Sequence, residues 1–218
     1  MNELQILGLI KGKGSKSIEI FNKICPNIKS YKYKNAEWFV KDLWNKYEEY
    51  KKKYMKGKKN KNSLNGSIFE LIIMLLLVKE EVFPFYFQAQ VNFIPNIDYD
   101  VLLYSVDNKN RTLISLSIKT SLRERYKQAD LEALALKNVF RHSRNYLITI
   151  NEAEHAIVKK KIDNKEILAL DRIINAFSPE IDDLITELKG LILKESDSIS
   201  VIKSNKNIIN QDKFNLLN

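Results

Sequence analysis

Apolar positions in the first third of the chain recur with helical spacing. Between Ala36 and Tyr54, the residues Phe39, Val40, Leu43, Trp44 and Tyr47 fall on one helix face. A second helix is predicted from Ser67 to Val82. Ser67 and Glu70 have the spacing of a capping box, and Leu71 to Val78 is unbroken apolar sequence. Phe83-Pro84 stops this helix, and the period then drops to two. Strands are predicted over Phe87–Phe93, over Asp98–Ser105 after a turn at Pro95-Asn96, and over Thr112–Thr120 after a polar turn from Val106 to Arg111. A long helix over Leu122–Phe140 and a strand over Tyr146–Ile150 follow. Three more helices are predicted, over Glu152–Lys161, Ile167–Phe177 and Ile181–Lys194. The tail after Ser200 is mostly polar and is expected to be loosely ordered. The order of helix, three-stranded meander, helix, strand and helices predicts an α/β (α+β) core: a mixed β-sheet flanked by helices, with helical additions at both ends.

The 218 residues suit a single domain: a helical part with a lysine-rich connection (1–62), a core (63–150), and a helical part with a tail (151–218). With 44% hydrophobic and 29% charged residues, the chain has an ordinary globular composition. Leu71 to Val78 is too short to span a bilayer, so no membrane partner is expected. The start, Met1-Asn2-Glu3, lacks the basic and apolar regions of a signal peptide. Cys25 is the single cysteine, which excludes an intramolecular disulfide or a cysteine-rich zinc site and points to a cytoplasmic setting. The net charge of +9 is compatible with nucleic acid or an anionic surface. Lysines crowd the stretch from Lys51 to Asn65, predicted to be an exposed, mobile connection. It reads either as a solvated loop or as an arm reaching DNA, with Lys58 and Lys59 as candidate contacts.

Candidate chemistry lies on the second and third strands. Alternation puts Ile114, Leu116 and Ile118 on one face and Ser115, Ser117 and Lys119 on the other. An ammonium at that position either snorkels to water or has anions beside it. Asp98, Asp100, Leu102 and Tyr104 share a face of the second strand, with Tyr99, Val101 and Leu103 on the other. In a meander the start of one strand lies beside the end of the next, so Asp100 and Lys119 can meet. The alternative reading is a turn-flanking role after Pro95-Asn96, which fits one of Asp98 and Asp100. Mg²⁺ takes hard oxygen ligands, commonly one or two carboxylates, with phosphate and water completing its shell. Asp100 supplies one carboxylate and Asp98 is a further candidate ligand. The third strand offers Ser117 where a second acid would stand. The helix beyond it carries Asp130 and Glu132, the latter 13 residues after Lys119. Glu70 is a reserve, although a capping box accounts for it without function.

The stretch Pro95-Asn96-Ile97-Asp98-Tyr99-Asp100-Val101-Leu102-Leu103, followed by Ser115-Leu116-Ser117-Ile118-Lys119, resembles the PD-(D/E)XK nuclease superfamily, and within it the type II restriction endonucleases. The resemblance covers residues 66–150. The sequence departs from the motif twice: Ser117 replaces the acid before X-Lys, and Asp100 does not directly follow a proline. Some restriction enzymes of the superfamily carry Ser-X-Lys and take the displaced acid from the next helix, and Ser117-Ile118-Lys119 followed by Glu132 is similar to that variant. The resemblance implies a restriction-endonuclease-like core and Mg²⁺-dependent, sequence-specific cutting of double-stranded DNA to 5′-phosphate ends. It also implies catalytic roles around Asp100, Ser117, Lys119 and Glu132, with Glu70 kept as the reserve carboxylate. Two-fold cutting of a palindrome implies a homodimer, with a cognate DNA methyltransferase as a functional partner.

Directly after Lys119, Ser121, Arg123, Arg125 and Lys127 open a helix and suit phosphate oxygens; the same residues could equally be the wet side of an amphipathic helix. Other chemistries lack their motifs. There is no Gly-X4-Gly-Lys loop and no Gly-X-Ser-X-Gly elbow, and the two histidines, His142 and His155, are not in a ββα-metal context. Two other functions fit the same features. One is a nucleic-acid-binding protein without catalysis; the other is a repair or junction nuclease on the same fold.

Overall fold

The computed structural model describes residues 3–10, 16–55, 61–107, 110–196, 202 and 207–217. Helices α1 (Glu3–Ile6), α2 (Lys16–Ile24), α3 (Ala36–Tyr54) and α4 (Lys61–Lys79) precede the meander β1 (Phe85–Ala89), β2 (Tyr99–Asp107) and β3 (Asn110–Ile118). Then come α5 (Arg125–Val139), β4 (Arg144–Thr149), α6 (Glu152–Asp163), β5 (Arg172–Asn175), α7 (Glu180–Lys189), β6 (Ile208–Ile209) and α8 (Gln211–Asn215). The sheet order is β5-β4-β3-β2-β1-β6, with β3, β4 and β5 parallel and the other pairs antiparallel. A mixed sheet flanked by helices is the class the residue pattern predicts, and it is a restriction-endonuclease-like core.

The helices pack on both faces. Side chains of α2, α3, α4 and α7 close over Phe85, Phe87, Val101, Leu103, Ile114, Leu116, Ile118 and Ile148. On the other face, Leu136 of α5 packs with Tyr86, Leu102, Tyr104 and Leu113, while Ala129, Ala133 and Val158 pack with Leu147 and Ile173. Asn35 caps α3, accepting from Trp38 N at 3.0 Å, and Asp182 at the start of α7 accepts from Ala36 N at 2.7 Å. Two helix N-termini are thereby tied together.

Four local expectations are corrected. Helix α4 begins at Lys61, so Ser67 lies inside it and its hydroxyl donates to the Ser63 carbonyl at 3.2 Å. Ser67 and Glu70 therefore form no capping box, because an N-cap needs the free N–H groups of a first turn. The lysine-rich stretch is likewise helical at both ends, Lys51–Tyr54 belonging to α3 and 61–65 to α4. Around Ile173 and Ile174 the chain forms a strand rather than the predicted helix. These two β-branched residues are buried on opposite faces of the sheet, as a parallel strand covered on both sides requires. Finally, the polar tail returns to the fold: Ile208 and Ile209 pair with Tyr86 and Phe85 along the edge of β1.

Ile209 is fully buried against the α-helical layer, which makes the C-terminal strand part of the folding unit. Ile209→Ala should lower stability by about 2–5 kcal/mol, the range for truncating a well-packed isoleucine. Urea titration tests this, with a lower midpoint at an unchanged slope.

Candidate active site

Strand alternation fails at one point in the sheet, and that point carries Asp100. Phe85 and Phe87 face the core under α4, whereas Tyr86 and Ala89 both face the α5 side. In β2, Val101 and Leu103 face α4, whereas Tyr99, Leu102 and Tyr104 face α5. Each strand thus changes parity once, at Gln88 and at Asp100, and these two lie opposite each other between the pairs Ala89↔Tyr99 and Phe87↔Val101. Gln88 has φ 45°, a left-handed conformation inside a strand that makes the kink. Tyr99 therefore lies on the α5 side, with its hydroxyl donating to the Glu132 carbonyl at 3.0 Å. A strict two-residue period places it on the opposite face.

The β2–β3 ladder runs as far as Val101↔Leu116. Past that pair, a side chain replaces the backbone partner. Asp100 Oδ2 accepts from Ile118 N at 2.7 Å and from Lys119 Nζ at 2.7 Å. The Asp100 side chain is 10% exposed and that of Lys119 17%, so the pair is held largely out of water. Oδ1 takes no hydrogen bond among the described residues and remains available as an acceptor.

Because the sheet kinks here, Asp100 borders a space on each face. On the α4 side it lines a cleft of about 500 Å³ with Glu70, Ser67, Phe87 and Gln88. On the α5 side it lines a crevice with Tyr99, Ser117 and Glu132. Glu70 is the one charged residue in Ile68–Val78, where every other side chain is buried. Its carboxyl is pushed up to about 7, by burial first and then by the charge of Asp100, against opposing effects from Lys119 and the hydrogen bond from Gln88 at 3.2 Å. The Glu132 carboxyl is also raised, chiefly by burial, while Gln128, donating to it at 2.7 Å, and Lys119 hold it down. Both glutamates feel the same Asp100–Lys119 pair from opposite faces of the sheet.

The other candidate residues divide. Ser117 lines the crevice beside Asp100. Asp98 is exposed and accepts from Gln90 at 3.0 Å, away from both spaces. Ser121, Arg123 and Arg125 line a separate cleft of about 240 Å³ with Trp44, Asn65 and Thr120. Lys127 is exposed and pairs with Glu124. Asp130 accepts from Ala169 N at 2.7 Å and Leu170 N at 3.0 Å, a structural role. Lys58 and Lys59 lie outside the described residues. Two residues that sequence reading passed over belong to the site region. Gln88 gives no local signal, since its conformation is a tertiary outcome. Glu154 bonds the turn after Lys119 from a distant helix.

The donor set fits a magnesium ion. It consists of hard carboxylate oxygens, two of them on groups made reluctant to ionise by their surroundings, which a divalent cation would relieve. Among the described residues, no three acidic, histidine or cysteine side chains sit close enough to enclose an ion by themselves. Mg²⁺ normally keeps several waters, so an incomplete protein shell agrees with it.

A mixed sheet sandwiched by helices is a core of the restriction-endonuclease kind, and here an acid–lysine pair sits at the diverging ends of two of its strands. Residues 90–210, more than half of the chain, match the family model described as BsaWI restriction endonuclease type 2. The chain belongs to that family: it is a type II restriction endonuclease, a nuclease that binds DNA. No curated protein and no solved structure matches it. The match includes Asp100, Lys119 and Glu132 but begins after Glu70 and Gln88. No helix among the described residues is long and apolar enough to cross a membrane.

The raised Glu70 carboxyl has a consequence for stability. Below pH 4.5 the group is protonated in both folded and unfolded chains. Between 4.5 and about 7 the fold retains a proton that the unfolded chain releases, so stability falls as pH rises and then levels off. Glu70→Gln removes this loss. The variant should melt about 2–4 °C above the parent at pH 8, as roughly 1 kcal/mol does in a chain of this size. The difference should close near pH 4. Thermal scans at the two pH values in EDTA check it, and equal melting points at pH 8 would contradict the raised value.

Proposed function

We propose that this restriction endonuclease cuts double-stranded DNA at a specific sequence by Mg²⁺-dependent phosphodiester hydrolysis, with a PD-(D/E)XK-type centre. The observation that carries the proposal is the pair of 2.7 Å hydrogen bonds from Lys119 Nζ and Ile118 N to Asp100 Oδ2. They fix the acid and the ammonium at one point between the two spaces. Asp100 and Glu132 would hold the ion on the α5 side, and Glu70, beside Asp100 on the α4 side, is the reserve carboxylate in place of Glu132. Asp98 drops out of this set because its side chain turns to Gln90. When bound, Mg²⁺ neutralises the phosphate and acidifies a water molecule.

The chain's own residues then have distinct tasks. Asp100 anchors Lys119, and Lys119 points a proton donor at the reacting phosphate, orienting the attacking water and offsetting the charge that builds on the phosphoryl oxygens. Ser117, beside Asp100, leaves room where a longer acid would crowd the crevice, and Glu132 supplies that carboxylate from α5. Attack in line with the 3′ oxygen breaks the P–O3′ bond, giving a 3′-hydroxyl and a 5′-phosphate. Arg123 and Arg125, with Ser121, hold the DNA next to this point, and Lys127, Lys58 and Lys59 contribute longer-range attraction. One centre per chain and two strands per duplex suit a homodimer on a palindromic site. A methyltransferase that protects the same sequence is the matching functional partner, in a cytoplasmic setting.

Digestion of a sequenced plasmid tests this reading. Discrete fragments with 5′-phosphate ends are expected with Mg²⁺ and none in excess EDTA. Lys119→Ala and Asp100→Asn should each lower single-turnover cleavage by about 10²–10³-fold or more, the scale for losing one charge-stabilising donor. Both variants should still shift labelled DNA in a gel. Near-parental cutting by Lys119→Ala, or cutting in EDTA, would remove the proposed centre.

A further inference from the structure

The turn that follows Lys119 is not a free helix start. Helix α5 begins at Arg125, and Arg123 has φ 38°, a left-handed conformation that an arginine rarely adopts. A carboxylate from another helix holds this turn. Glu154, in the first turn of α6, accepts from Leu122 N at 2.5 Å, from Arg123 N at 3.2 Å and from the Ser121 hydroxyl at 3.5 Å. Glu154 is itself placed by the α6 cap, its N–H donating to Asn151 Oδ1 at 3.1 Å. Both N–H groups of the strained turn are thus satisfied by one side chain more than thirty positions away.

We propose that Glu154 is a positioning residue for DNA binding: it clasps the Ser121–Arg123 turn so that Arg123 and Arg125 are presented to the nucleic acid beside Lys119. The inference rests on the reading that these arginines contact DNA. Three features support it. First, the bonds go to successive backbone N–H groups and a hydroxyl of one turn, the pattern of a clasp on its conformation. Second, Leu122 is buried at 1% exposure, so its N–H sits at the root of the turn, where a DNA phosphate is a poor substitute for Glu154. Third, Arg123 and Arg125 line the cleft with Trp44 and Asn65 that abuts the Lys119–Thr120 step, so a change in the turn redirects both guanidinium groups at once.

Without the carboxylate, two N–H groups lose their acceptor and the left-handed Arg123 loses what holds it there. The turn then samples other conformations, and ordering it again is charged against each binding event. The loss falls on affinity, with the Asp100–Lys119 geometry left in place.

The test is a double-mutant cycle on the full-length protein, read by fluorescence anisotropy of a labelled cognate duplex with Ca²⁺ replacing Mg²⁺, together with single-turnover cleavage in Mg²⁺. Glu154→Ala should weaken binding about tenfold, the scale of losing one arginine contact. Cleavage at saturating DNA should fall by no more than about threefold, and Glu154→Gln, which keeps one acceptor oxygen, should restore part of the affinity. In an Arg123→Ala, Arg125→Ala background, Glu154→Ala should have little further effect, because residues that act through one another are not additive. If Glu154→Ala weakens binding equally in both backgrounds, or binds as the parent does, the clasp is overturned. Tighter binding by Glu154→Ala would also overturn it, identifying the carboxylate as an occupant that DNA must displace. If Arg123→Ala, Arg125→Ala binds as the parent does, the fault lies in the DNA-contact reading instead. Should Glu154→Ala fail to fold by circular dichroism, Glu154→Gln carries the same cycle: binding equal to the parent's overturns the clasp, and an intermediate loss that vanishes in the arginine-free background supports it.

Discussion

The candidate site depends on a carboxylate that takes the place of a strand. Where β2 and β3 stop pairing, Asp100 Oδ2 accepts the Ile118 N–H and binds the Lys119 ammonium. A buried N–H without a partner and a lysine without an anion would each be costly here. One oxygen satisfies both. This bond closes the strand end and sets the acid–lysine geometry together, so the fold and the chemistry share a constraint. Both protein bonds fall on Oδ2, so Oδ1 takes no hydrogen bond among the described residues.

The kink at Gln88 and Asp100 explains how carboxylates from two layers converge on one charge. In a regular strand a side chain serves one face of the sheet. The change of parity leaves Asp100 at the boundary, adjoining Glu70 of α4 on one side and Glu132 of α5 on the other. Both glutamates are destabilised as anions by burial and by Asp100. Negative charge is held in excess of what Lys119 balances, and the imbalance is relieved by a divalent cation or by a proton. The same electrostatics makes the site costly to fold above neutral pH.

Around this centre the fold joins short pieces of strain to distant supports. Gln88 is left-handed inside a strand and donates to Glu70. Arg123 is left-handed before a helix, in a turn bonded by Glu154. Both lie at the rim of the Asp100–Lys119 site, where the parallel strands β3 and β4 end. Strained backbone there is kept by side-chain bonds from other elements, which gives the two rims of the site fixed positions without extending the sheet.

The meander, α5 and β4 were legible from apolar periodicity, and with them the meeting of Asp100 and Lys119, because the pairing of consecutive strands follows from short-range order. The resemblance of Asp100, Ser117 and Lys119 to a known motif was legible for the same reason, since those residues sit in one hairpin. Other features had no local signal. Glu70 resembled a helix cap until α4 proved to start six residues earlier, and β5 resembled a helix because its burial on both faces comes from neighbours elsewhere in the chain. The sequence by itself determined the class of fold and the acid–lysine pair, through patterns that span a few residues. Only the tertiary structure decided which face Tyr99 takes, why Glu70 and Glu132 flank Asp100 from opposite faces of the sheet, and what holds the turn after Lys119. Those outcomes depend on a backbone kink shared by two strands and on contacts between residues thirty or more positions apart, and periodicity carries no information about either.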